Sequence, residues 1–220
     1  MIAPLHFADA REAADLAAFL ARLIHYDRAA AVRLQAGGGA LAVFGRPPSF
    51  EVLAIRSARL VDEVDLDITV SAGELLEGIE ESAGKAVVPD AVTGPPWAGV
   101  LPPRGGWEPV TGVPGGAELR GAVAAAVAEF RARDEELPQE RRTRAERDRI
   151  GREIWSRTVT GTELPLRAVH AAQSLGFLPS HEVPVALLAA GPWLRLRTPY
   201  GSIALRTVTP SLTVAPASRH

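Results

Sequence analysis

Ala31-Val32-Arg33-Leu34-Gln35-Ala36-Gly37-Gly38-Gly39-Ala40-Leu41-Ala42-Val43-Phe44 is the stretch that decides how the rest of the chain is read. Val32 and Leu34 alternate with Arg33 and Gln35, the period of a strand with one buried face. Three consecutive glycines then allow a reversal, because glycine tolerates positive φ. Leu41 and Val43 lie on the returning strand, which Gly45-Arg46-Pro47-Pro48 stops. A third strand follows over 51–59. A fourth, over 65–70, sets Leu66, Ile68 and Val70 against Asp65, Asp67 and Thr69.

Helices flank this hairpin series. Asp9 and Glu12 make a capping box ahead of Leu16, Phe19, Leu20, Leu23 and Ile24, which fall on one helical stripe. Ser71 and Glu74 form a second box, opening a short helix with Leu75, Leu76 and Ile79. Residues 1–83 thus read as an α-β-β-β-β-α unit in which a meander packs under helices.

Residues 84–116 change character, with eight glycines and seven prolines among 33 residues. Such a stretch propagates neither a helix nor a central strand, so it reads as a connector in which Trp97 and Trp107 should dock on something. Charged helices are expected over 117–137 and 140–158. A shorter one over 165–175 begins at Pro165 and stops at Gly176. Strands are expected over 183–190, 193–198 and 202–207, with a fourth over 212–215.

The two ends of the chain look alike. Ala40-Leu41-Ala42-Val43-Phe44 parallels Trp193-Leu194-Arg195-Leu196-Arg197, and Leu53-Ala54-Ile55-Arg56-Ser57 parallels Ile203-Ala204-Leu205-Arg206-Thr207. Asp67-Ile68-Thr69-Val70 has an echo in Ser211-Leu212-Thr213-Val214. The offset is 153 residues for the first two strands and 150 for the third. The expected class is therefore α+β: two antiparallel meander units, each preceded by a helix and related by internal duplication. A helical pair and the Pro/Gly connector bridge them. The expected organisation is 1–83, 84–116 and 117–220.

Composition narrows the function without naming it. The chain of 220 residues is 47% hydrophobic and 23% charged, enough to bury a core without disulfides or metal. Its net charge of −2 gives no global attraction to nucleic acid or anionic membrane. No cysteine is present, which removes thiolate chemistry and Cys-ligated metals. Of 24 basic residues only Lys85 is lysine, a usage that with abundant Ala, Gly and Pro fits a GC-rich bacterial coding sequence. The first residues lack the pattern of a secretory leader, and no apolar run approaches the roughly 20 residues of a membrane span. A cytoplasmic protein is expected, with no membrane partner.

The histidines make no HxxxH or HxH pair, and neither GxGxxG nor GxSxG occurs. Gly84-Lys85 lacks both the spacing and the Ser or Thr of a phosphate loop. His25, at a helix end, and the acids Asp62, Glu63, Asp65 and Asp67 are better explained by capping and by a solvated strand face. No cofactor, metal or catalytic residue is assigned. The expected role is non-enzymatic protein or ligand binding, through a protein partner or a second copy of the chain, with Trp97, Trp107, Trp193 and Tyr200 as candidate contacts. One alternative is a DNA-binding regulator with a winged helix-turn-helix over 140–206, using Arg167, His170, Gln173, Arg195 and Arg197. A second alternative is an enzyme whose site is assembled from distant polar residues.

Overall fold

The computed structural model describes residues 4–207. The expected strand over 212–215 and its echo at Ser211–Val214 lie outside them. In chain order the elements are β1 (Leu5–His6), α1 (Ala10–Tyr26), β2 (Ala31–Gly37), β3 (Ala40–Gly45), β4 (Leu53–Arg59), β5 (Leu66–Ser71), α2 (Ala72–Glu77), β6 (Ile79–Glu80) and β7 (Lys85–Ala86). After them come β8 (Glu108–Val110), α3 (Gly116–Glu135), α4 (Arg144–Ser156), α5 (Leu166–Ser174), β9 (Ala186–Ala190), β10 (Trp193–Thr198) and β11 (Gly201–Arg206). The class is α+β, with every strand pair antiparallel.

Both N-caps form, each as the first half of its capping box. The Asp9 side chain accepts from the Glu12 amide at 3.0 Å, and Ser71 accepts from the Glu74 amide at 3.4 Å. α4 starts later than its charge pattern implies. Thr143 caps it through the Glu146 amide, while 139–141 form a single 3-10 turn after Pro138.

One eight-stranded sheet runs β5-β2-β3-β4-β11-β10-β9-β8. The two meanders, β2-β3-β4 and β9-β10-β11, therefore extend a single sheet and meet through their third strands, with Ala54 opposite Ile203. That seam explains a departure in the first unit. β5 cannot add beyond β4, whose free edge β11 occupies, so it returns to pair with β2 in the 4-1-2-3 order of a Greek key.

The proposed sequence echo fails at the seam. Leu41 and Leu194 both face the main core, as an offset of 153 requires, but Ile55 and Leu205 point to opposite faces. A strand alternates faces at every residue, so the offset of 150 reverses the side-chain set.

The helices cover one face. Leu16, Phe19, Leu20 and Leu23 of α1 are fully buried with Val32, Leu34, Leu41 and Val43. α5 packs over β11, and α3 and α4 lie against α5. Phe19 stacks on Phe177, which follows α5, with ring centroids 5.5 Å apart, so one core serves both halves.

The connector straps the other face. It leaves the β5 edge, where the Val92 amide donates to the Thr69 carbonyl at 2.9 Å, and ends as β8 on the opposite edge. β8 has three residues around Pro109, which suits an edge because proline cannot donate to a ladder. β1, β6 and β7 form a separate three-stranded sheet beside α1.

Candidate functional site

A cleft of about 570 Å³ opens on the helix side, between α4, α5 and the loop joining β3 to β4. The loop supplies Phe50. Its neighbours Ser49 and Glu51 adopt left-handed backbone, with φ of 69° and 54°. Left-handed backbone is unfavourable for residues with a Cβ, and such outliers gather at binding sites. Here they bend the chain around Phe50 and turn its ring into the protein.

His170 of α5 lies between two aromatic rings. Trp155 of α4 stacks on it at 4.3 Å with an interplanar angle of 21°, and Phe50 meets it edge-on at 5.1 Å. Tyr26, at the end of α1, packs edge-on against Phe50 at 5.7 Å. Burial pushes His170 below the ordinary histidine range, so the imidazole is neutral at pH 7. Phe130 and Gly151 extend the apolar wall.

The charged residues of the lining are Glu51, Arg147, Asp148, Arg152 and Arg167. Arg147 is held by Asp134 at 2.7 Å, whereas Arg152 is exposed and makes no ion pair among the described residues. Arg167 buries its Nε without a hydrogen bond, and the nearest paired carboxylate, Glu51, stands 3.8 Å away. The cleft therefore offers an apolar slot, a neutral stacked imidazole and incompletely paired guanidinium groups in its lining.

The residues proposed for nucleic acid do not form one surface. Arg167 and His170 line this cleft, and His170 also borders the groove between α5 and α3 in which Gln173 lies. Arg195 and Arg197 of β10 project from the opposite face of the sheet, because their neighbours Leu194 and Leu196 occupy the helix-side core. The winged-helix alternative also needs a free hairpin. β10 and β11 are instead interior strands, flanked by β9 and β4. The arginines of α4 are largely consumed by acids: Arg149 binds Glu146 at 2.7 Å, and Arg133 and Arg157 of the neighbouring chain segments hold Glu153 and Glu129.

Three of the four aromatic contacts proposed for a partner come together. Trp97 and Trp107 of the strap pack against Phe44, Leu53, Ile55 and Trp193 on the outer face. The Trp107 indole donates to the Pro103 carbonyl at 2.9 Å. Tyr200 lies apart, in the β10–β11 turn, with its hydroxyl 3.1 Å from His181 Nε2. Of the cleft residues, the sequence does not single out Phe50. The only local signal was the Pro47-Pro48 turn, which says nothing about the direction of the next ring.

Residues 1–99 match a family model described as a domain of unknown function (DUF8010), and residues 102–210 match a second, also described as a domain of unknown function (DUF8185). No curated protein matches the chain. The first span contains the β2-β3-β4 meander and the second the β9-β10-β11 meander, so the boundary between the models falls in the strap.

Proposed function

We propose that this is a non-enzymatic bacterial protein of the cytoplasm that acts by binding, and that the helix-side cleft takes a flat, mostly apolar molecule carrying one acidic group. The observation that carries the reading is the His170 ring stacked on Trp155 in a cleft that Arg152 and Arg167 also line. Largely apolar clefts with a few placed polar groups are the usual form of small-molecule sites. A planar ligand extends the existing stack, and its carboxylate accepts from the Arg167 guanidinium. Binding rather than catalysis is supported by the imidazole itself. Among the described residues it makes no side-chain hydrogen bond that could orient or relay a proton. The arginine-dominated composition supports the bacterial assignment.

The test is titration of the full chain with 2-naphthoate, followed by quenching of tryptophan fluorescence. Saturable binding is expected, weakened about tenfold in Arg152→Ala and in Arg167→Gln, each removing a charged hydrogen-bond donor. Affinity unchanged in both variants, or no saturable binding, overturns the assignment.

A further inference from the structure

The outer face holds a second cavity, of about 410 Å³, between the strap and the sheet. Phe44 and Ile55 line its sheet side, Pro102 and Pro103 its strap side, and Arg104 and Arg195 both enter it. Arg195 is poorly satisfied. Its guanidinium carbon lies 5.6 Å from the centre of the Trp107 ring, its Nε is shut off from solvent, and no described residue accepts from that nitrogen. Burial and the neighbouring Arg197 both push its pKa down, a measure of how poorly the charge is compensated.

Arg56, the buried guanidinium on the other face, likewise leaves its Nε without a partner among the described residues, but its charge is met by a carboxylate. It reaches Asp15 at 3.0 Å and the Tyr200 carbonyl at 2.8 Å. Among the described residues no carboxylate comes within ion-pair distance of Arg104, Arg195 or Arg197. Asp67, which feels the charge of Arg104, is already engaged by Arg33 at 2.7 Å and Gln35 at 3.2 Å. A partly desolvated cation without a counter-charge among the described residues is costly, and a bound anion would relieve that cost.

The geometry points to an oxyanion site beneath the strap, taking a phosphoryl group either as inorganic phosphate or on a small phosphomonoester. Two guanidinium groups with a third beside them call for roughly two negative charges, which phosphate carries near pH 7 and a single carboxylate does not. The planar donor fork of arginine matches phosphate oxygens. Ser57 also lines the cavity, and Phe44, Ile55 and Pro102 can pack an apolar ester group. This site lies across the sheet from the cleft and does not depend on it.

Arginine Nε–Hε signals of the 15N-labelled full chain read the site directly. Inorganic phosphate and phenyl phosphate are titrated separately at constant ionic strength, with the Arg195 signal assigned through Arg195→Lys. A saturable shift of Arg195 is expected, with affinity reduced about tenfold in Arg104→Ala, a change on the exposed strap that leaves the core intact. Tighter binding of phenyl phosphate identifies a phosphomonoester as the source, and equal binding identifies phosphate itself. The proposal is overturned by an Arg195 signal that stays fixed up to about 10 mM of either probe, or by an undiminished shift in Arg104→Ala. Shifts of Arg152 and Arg167 alone would report the cleft instead, and would also overturn it.

Discussion

Arg56 of β4 donates to the main-chain carbonyl of Tyr200, 2.8 Å away in the turn between β10 and β11. The same guanidinium reaches Asp15 of α1 at 3.0 Å, and its side chain is only 6% exposed. One cation thus ties the first helix, the central seam and the C-terminal hairpin together, across 144 positions of sequence.

Arg56→Met should lower stability by about 3 kcal/mol, the lower end of what breaking a buried pair costs, because Asp15 can rehydrate. Urea denaturation followed by far-UV circular dichroism measures it. A midpoint equal to wild type would show that the seam does not need this cation.

Gly201 tests the contact between hairpin and helix layer. A Cβ there would lie 2.6 Å from two ring carbons of Phe177, a ring held by its stack on Phe19. At Gly45 the clash is also 2.6 Å, but with a terminal methyl of Leu23, which can rotate. Gly201→Ala should therefore cost about 2–3 kcal/mol and Gly45→Ala about 1 kcal/mol less. Equal melting temperatures for the two variants would contradict the difference in rigidity.

The α3–α4 clasp predicts an acid-dependent loss of stability. Hydrogen bonds and charge from Arg133 and then Arg157 hold the Glu153 carboxyl at about 2, below its ordinary 4.5. A depressed folded-state pKa stabilises fully above the unfolded value and is lost as pH falls through the folded one. The advantage of wild type over Glu153→Gln should hold above about pH 5 and vanish between there and pH 2. It should also shrink in high salt, because the pair is exposed. Thermal melts of both proteins across that range decide it, and a difference independent of pH would refute the assignment.

Trp107 pins the strap through its packing on the Phe44–Trp193 cluster and its bond to Pro103. Trp107→Ala should raise the rate of tryptic cleavage after Arg104 about tenfold, by favouring local opening rather than global unfolding. Cleavage at the wild-type rate would mean that Trp97 alone holds the segment.

The cleft and the strap differ in how far local sequence reveals them. Trp97 and Trp107 stood out because tryptophan within a Pro/Gly stretch has few reasons to be there except docking, yet what they dock on required the sheet. Phe50, Trp155 and His170 sit in three separate elements, and no spacing relates them. Their meeting depends on the left-handed turn at Ser49 and Glu51 and on how α4 crosses α5.

What the residues determined alone are the interactions that close within a few positions: the caps at Asp9 and Ser71, the stripe of α1, the alternation of β2 and the break at residues 84–116. These depend on hydrogen bonds and periodicities that neighbouring residues satisfy among themselves. Only the tertiary structure decided that β4 pairs with β11, that β5 turns back to β2, and that Ile55 and Leu205 face opposite ways. Each of those outcomes depends on which distant surface buries the strand edge and face. A strand carries the same alternation whichever neighbour it finds.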